Sequence, residues 1–415
     1  MVSAAFFGVG NELDAFNAAF TLASVVINIT AGALQIAQVP IYLETKRQEG
    51  KEAAQQLIST IFTCFLVFLL VLGAVLLLIF PYLLPYIYAG FSPGKLAVTT
   101  RLFYLLLPLI VLSGAALFVT SILNAEEEFK FTALIPGWTA ISSIVVLIVW
   151  GKSLGVYALA MGVVGGALIE LSFLMYLLHK FGISLRFRWQ LDNKKVRQVF
   201  ASALPVVIAF VLSGAMPLID QHFAANLRVG DVAALGFGYR IISLYLTLFA
   251  VAVGTTVLPH FSKFAAEKDW DGLRHAFYGS IYKFILPVCV ISSVIIIIFS
   301  EPIVRILFQR GAFTPEATKT VATIQAMYAL QLPAYVIHFV SYRVLSAIKA
   351  NRYAIWIAST GLVTCVVLDY FFSSIWGISG IALSVSAMYT ITTIVALFIV
   401  KREIAKRQFE SEYVR

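Results

Sequence analysis

Apolar residues run along this chain in blocks of about twenty, separated by short polar stretches, as at 57–80, 102–123, 131–150, 284–299 and 353–372. A helix rises 1.5 Å per residue, so about 20 such residues cross a hydrocarbon layer of about 30 Å. Strict polar–apolar alternation is absent, which argues against a transmembrane β-barrel. The pattern predicts helical spans at 14–42, 57–80, 102–123, 131–150, 156–178, 200–225, 232–259, 277–299, 321–348, 353–372 and 378–400. Residues 1–10 are too short for a span and lack the basic start of a signal peptide. We read them as the outer half of a truncated first helix, which brings the expected total to about 12 transmembrane helices.

Composition agrees with a membrane chain. Of 415 residues, 60% are hydrophobic and 12% charged, against roughly 25% charged in soluble domains. A net charge of +9 would raise nucleic acid as a partner for a soluble protein; here its distribution reads as topology. Of 30 Lys and Arg, 22 follow even-numbered spans, sit in the span ends that border those loops (Lys283 and Arg343) or lie in the tail, seven lie opposite, and Arg240 sits deeper inside a span. The positive-inside rule then places the even loops and the C-terminus in the cytoplasm. The densest cluster is Lys180, Arg186, Arg188, Lys194, Lys195 and Arg197, a topology determinant that could also touch anionic headgroups. Three scattered cysteines, five scattered histidines and no phosphate-loop, dinucleotide or nucleophile motif leave no enzyme chemistry to propose.

The chain also repeats itself. "QVPIYLETKRQEG" and "TVLPHFSKFAAEKD" leave apolar segments by the same exit, and an offset of 219 residues sets Ala15 on Ala234, Phe20 on Tyr239, Ala33 on Ala252 and Pro40 on Pro259. With small gaps, "AGFSP" meets "GAFTP", "LLP" meets "QLP" and "SILNAEEEF" meets "SAIKANRYA". A repeat of six helices, an even number, keeps both halves in the same orientation. The expected fold is an all-α polytopic membrane protein of two six-helix lobes, related by a pseudo-twofold axis along the membrane normal. Its parts are an N-terminal lobe at 1–179, a basic cytoplasmic linker at 180–197, a C-terminal lobe at 198–400 and a basic cytoplasmic tail at 401–415. Two lobes around a cavity suit alternating access. Pro108 and Pro333, at equivalent places, are candidate gating points, although most prolines in membrane helices serve packing.

Ionisable residues inside spans are costly and point to function. The candidates are Asp14, Glu170, Asp220, Arg240, His338 and Asp369. Arg240, in "GFGYRIISLY", offers the planar fork that grips phosphate; the competing structural reading is an ion pair with Asp220. Asp220 and Asp369 at one depth, with Ser384 nearby, could hold a hard cation or could cap helices near the interface. Glu170 and His338 read as packed residues, and the run Glu126–Glu128 as a solvated turn.

Several stretches then carry a resemblance: "GVGNELDAFNAAFTL", "AGALQIAQVPIYLE", "GFGYRIISLYLTLFAVAVGTTVLPHFSK" and "LFQRGAFTPEAT". They resemble the MurJ/MviN lipid II flippases of the multidrug/oligosaccharidyl-lipid/polysaccharide exporter superfamily, in order and over nearly the whole chain. The resemblance implies a cationic central cavity and export of a polyprenyl-pyrophosphate-linked saccharide across the bacterial inner membrane. A monomer among membrane lipids, with no nucleic-acid partner, is expected. It matches Asp14 to the family's acid in "TDAF", Arg240 to a cavity arginine, and Asp220 and Asp369 to a sodium site in some members. Na+ as coupling ion is the one cofactor it suggests. Cys365 stands where that site often has asparagine. The second-span basic residues of the family are replaced by Thr21, Ile27 and Asn28, and its next acid by Ala31; Thr21 and Asn28 become candidate substrate contacts. The family's first-span arginines would precede Met1, and its two further C-terminal helices have no counterpart here. Alternatives are an exporter of another undecaprenyl-linked polysaccharide, a cation-coupled multidrug antiporter and a non-transporting scaffold.

Overall fold

The computed structural model describes residues 2–132, 135–190, 192–348, 350 and 352–413, and among them every regular element is helical. The side chains of the "GTTVLP" stretch, at 254–259, lie outside the described residues. Contacts divide the chain into two compact units, one formed essentially by Gly10–Leu218 and the other by Ser3–Val9 with Ile219–Arg415.

The unit from Gly10 contains α2 (Asn11–Ile27), α3 (Ala33–Glu49), α4 (Lys51–Ile87), α5 (Pro93–Ala125), the short α6 (Phe129–Thr132), α7 (Pro136–Leu154), α8 (Val156–Lys180) and most of α9 (Lys194–Ala225). A π-helical turn, Asn28–Gly32, joins α2 to α3 into one span of 39 residues. Lipid chains supply no hydrophobic drive between helices, so close approach matters more. Gly162 and Gly166 of α8 provide it: a Cβ there would lie 2.6 Å from the Ser143 Cα and 2.4 Å from the Thr139 Cα of α7. Phe80 of α4 stacks on Phe103 of α5 with centroids 3.6 Å apart.

The other unit contains α1 (Val2–Phe7), α10 (Asp231–Ala266), α11 (Trp270–Ser280), α12 (Leu286–Ile298), α13 (Ser300–Phe308), α14 (Pro315–Ala329), α15 (Leu332–Ala347), α16 (Tyr353–Trp376) and α17 (Ile378–Tyr413). The short α1 was expected in the N-terminal lobe. Instead it packs on the turn before α14, where the Ala312 amide donates to the Ala5 carbonyl at 2.9 Å. Gly8 and Gly311, both at positive φ, make this approach possible, because a Cβ on either would meet the other segment's backbone oxygen at 2.3 or 2.2 Å.

The two units repeat their turn chemistry. The "SP" of the first repeat is an N-cap followed by a proline at the first helical position: Ser92 accepts from the Lys95 amide at 3.4 Å. The "TP" of the second does the same, with Thr314 accepting from the Ala317 amide at 3.2 Å. Such caps satisfy an orphan helix donor, and proline there forfeits nothing. Gly155, between α7 and α8, and Gly377, between α16 and α17, adopt φ of 57° and 58°, with ψ of −137° at both.

Ten helices are long and apolar enough to cross a membrane among the described residues. The span expected at 321–348 is not continuous: α14 ends at Ala329 and α15 starts at Leu332. Pro333 lacks the amide that would continue the ladder. Freed carbonyls are taken by hydroxyls of neighbouring helices. Ser386 donates to Met327 at 2.6 Å and Ser293 to Ala329 at 2.7 Å, while Thr393 adds a bond to the Ala334 carbonyl within α15 at 2.7 Å. A break at membrane depth is tolerated only with such partners. Pro108, its sequence counterpart, lies inside an uninterrupted α5.

Candidate transport sites

In the unit from Gly10, a cavity of about 840 Å³ opens between α3, α5 and the first half of α9, with the π-helical turn at its rim. Asn28, Gln35, Ser121, Asn124 and Glu127 give it polar points among Ile36, Leu43, Leu117 and Phe210. The Thr30 hydroxyl turns back on its own helix, donating to the Val26 carbonyl at 2.8 Å. Gly32 lets Phe210 approach: a Cβ would lie 3.1 Å from the ring. Of the two second-span candidates, Asn28 is exposed and lines this cavity, whereas Thr21 is half-buried and outside its lining. Among the described residues no lysine or arginine lines it.

Asp14 does not present its charge to such a cavity. Its carboxylate and the Lys95 ammonium lie 2.5 Å apart, with side-chain exposures of 1% and 8%. The same ammonium sits 3.9 Å from the centre of the Phe91 ring. The first turn of α5 thus neutralises α2 internally, which corrects the reading of Asp14 as a substrate contact for this conformation. Glu170 likewise accepts from Thr139 at 3.2 Å rather than standing alone.

Between the end of α3 and the end of α5, Glu126 accepts from Lys46 at 2.6 Å and from the Tyr42 hydroxyl at 2.5 Å. Burial pushes this carboxyl up, but the Lys46 and Tyr42 bonds together outweigh it and hold it below the usual range. The run Glu126–Glu128, expected as a solvated turn, is therefore structural at its first residue.

In the other unit, Asp220 of α9 and Cys365 and Asp369 of α16 converge, with ligand atoms all within 4.8 Å of one another. The Cys365 thiol donates to Asp220 at 3.3 Å and to Asp369 at 3.6 Å. The Ser384 hydroxyl of α17 donates to Asp369, and Asp369 and Ser384 are fully buried. The sequence places these two acids 149 residues apart, and the spacing of Cys365 and Asp369 by one turn of α16 sets thiol and carboxylate on one face. Two carboxylates and a hydroxyl are oxygen donors of the kind a hard cation takes, and the sulfur is not. The set fits a cation held by Asp220, Asp369 and Ser384, with Cys365 as a weak neighbour.

Arg240 lies on α10, exposed, with its guanidinium carbon 5.4 Å from the Phe237 ring centre. Gly236, Leu244 and Leu248 continue the same open stripe at helical spacing, while Phe237 and Gly238 pack on the α13–α14 side. The expected alternative, an ion pair with Asp220, is absent: among the described residues no carboxylate pairs with Arg240.

Long apolar helices, with another helix broken and re-bonded and with acids and an open arginine in the apolar stretches, define the class as an all-α polytopic membrane protein. The chain belongs to the lipid II flippase MurJ family, whose family model matches residues 3–413. A probable lipid II flippase MurJ of Rhizobium meliloti is 28% identical over 344 residues, covering 80% of this chain and 64% of that protein. The chain thus spans slightly less than two thirds of the Rhizobium relatives' length. Among solved structures, a lipid II flippase MurJ in an inward closed conformation superimposes with a TM-score of 0.81 at 25% identity, covering 99% of this chain and 87% of that one. An inward-facing multidrug-resistance MATE transporter shares the fold, with a TM-score of 0.83 at 13% identity over 98% of this chain and 94% of that one.

Proposed function

We propose that the chain is a flippase that carries a polyprenyl-pyrophosphate-linked saccharide, a peptidoglycan precursor of lipid II type, across the bacterial cytoplasmic membrane by alternating access. The observation that carries this reading is Arg240, a guanidinium deep in a span without a carboxylate partner among the described residues. Such a charge is costly inside a membrane unless water or an anion attends it, and its fork suits a pyrophosphate. An anionic cargo is therefore favoured over the cationic drugs of a multidrug antiporter. Another undecaprenyl-linked polysaccharide would present the same pyrophosphate, and Asn28 with its polar neighbours in the 840 Å³ cavity offers sugar or peptide hydrogen bonds. Thr21 and Asp14 are left to shaping α2 rather than to direct contact.

Asp220, Asp369 and Ser384 would hold the coupling ion, Na+, which supplies charge compensation for the two acids. The break before Pro333, with its exchangeable hydroxyl partners, is the better hinge candidate, and Pro108 the weaker. The even-numbered loops and the C-terminus face the cytoplasm in this reading; cysteines at Ser184 and Ser92 should label from opposite sides.

The deciding experiment follows lipid-linked sugar translocation in reconstituted vesicles alongside expression level. Arg240→Ala should abolish most transport. Arg240→Lys should retain insertion but lose the bidentate grip, leaving a large deficit. Full activity in the alanine variant would overturn the role of Arg240.

A further inference from the structure

Unpartnered polar atoms are concentrated in one part of the molecule. Among the described residues, eight buried side-chain nitrogens and oxygens lack a hydrogen-bond partner, and five of them belong to Gln325, Gln331 and His338. Gln325 and Gln331 are fully buried, and both atoms of each amide are unpaired. A buried amide without a partner loses its water bonds and gains nothing in return. Two whole amides and one imidazole nitrogen within fourteen residues of one broken helix call for a common partner.

Their placement gives it a course. Gln331, Tyr335, His338 and Tyr342 recur at i, i+4, i+7 and i+11, one face of α15. Tyr389 of α17 lies against that face, 4.9 Å from the Tyr335 ring and 5.9 Å from His338. Tyr342 packs 4.9 Å from His338 and donates to the Ala354 carbonyl at 3.4 Å, at the start of α16. At the other end, Tyr328 of α14 follows Gln325 by one turn and meets Tyr239 at 5.2 Å. Ser384 of α17 donates to Asp369, and two residues on Ser386 donates to the Met327 carbonyl beside Tyr328, which ties this face to the acid cluster. Amides, phenols and an imidazole therefore succeed one another from the Asp220–Cys365–Asp369 cluster to the junction of α15 and α16. A buried water needs two to four polar partners, and this face supplies them repeatedly.

We propose that this face holds a column of internal water, a hydrated route through the second unit between the acid cluster and the α15–α16 junction. It goes beyond the flippase reading, and the presence of water there does not depend on which ion the acids bind. If they bind one, the column is its path to or from the cluster.

X-ray hydroxyl-radical footprinting of the full chain in lipid nanodiscs tests it, because radicals born from bound water oxidise buried side chains beside that water. After correction for intrinsic reactivity, Tyr335 and Tyr389 should oxidise about tenfold faster than the buried Phe80 and Phe103, which stack on each other. Replacing Gln331→Leu together with His338→Leu should bring Tyr335 and Tyr389 down to the control rate. Exposed Tyr82 and Tyr86 should keep their rates, showing that the fold survives. Wild-type Tyr335 and Tyr389 labelling at the rate of Phe80 would overturn the proposal, whether or not the double variant folds. Loss of sodium dependence in Asp220→Asn bears only on the ion, so the two readings fail separately.

Discussion

Each unit buries carboxylates inside spans, and they treat them differently. Asp14 is matched by Lys95 at 2.5 Å, so charge is balanced within the first unit. Asp220 and Asp369 have a thiol and a hydroxyl for company, and among the described residues no cation pairs with either. Two adjacent carboxylates cannot both ionise without a proton or a cation between them. Burial alone therefore does not separate a structural acid from a functional one; the presence of a counter-charge does.

The comparison breaks most visibly at Lys95. Lys95→Met removes the ammonium that neutralises buried Asp14, and should cost about 3–5 kcal/mol of stability in detergent unfolding. Adding Asp14→Leu should recover most of that loss. A cost below about 1 kcal/mol for Lys95→Met would return Asp14 to the list of functional acids.

In the other unit, saturating sodium at about a hundred times its Kd should stabilise the protein by about 2.7 kcal/mol relative to choline. Asp220→Asn and Asp369→Asn should each remove that sodium-dependent rise in Tm. Equal stabilisation of wild type and both variants would mean that the cluster binds no sodium. Cys365→Asn sharpens the contrast by exchanging sulfur for an oxygen ligand. It should tighten sodium binding about tenfold, or about 1.4 kcal/mol, read from the sodium concentration at half-maximal Tm shift.

The smallest effect belongs to Glu126, whose partners are partly open to solvent. Its folded carboxyl lies below its ordinary value of 4.5, so its contribution is complete above that pH and lost as pH falls through the lowered value. Glu126→Gln should cost at most about 1 kcal/mol at pH 7, and its difference from wild type should shrink as the pH drops below 4.5.

Some of this was legible locally. The paired "AGFSP" and "GAFTP" became two capped helix starts because serine or threonine before proline encodes an N-cap without distant help. The acids at 220 and 369 could be shortlisted because any charge in an apolar block is conspicuous. The break at 330–331 was masked by apolar residues on both sides; Gln331 and Pro333 together were its only mark.

What the sequence determined by itself is what depends on near neighbours: apolar blocks long enough to cross a membrane, the twice-written caps, and the glycines that turn α7 into α8 and α16 into α17. What only the tertiary structure decided is what depends on partners far along the chain. Lys95 lies 81 residues from Asp14, and Cys365 lies 145 from Asp220. No local pattern reveals that one acid has been neutralised and the other two drawn together, because Coulomb and hydrogen-bond energies depend on separation in space, and the packing of helices sets that separation.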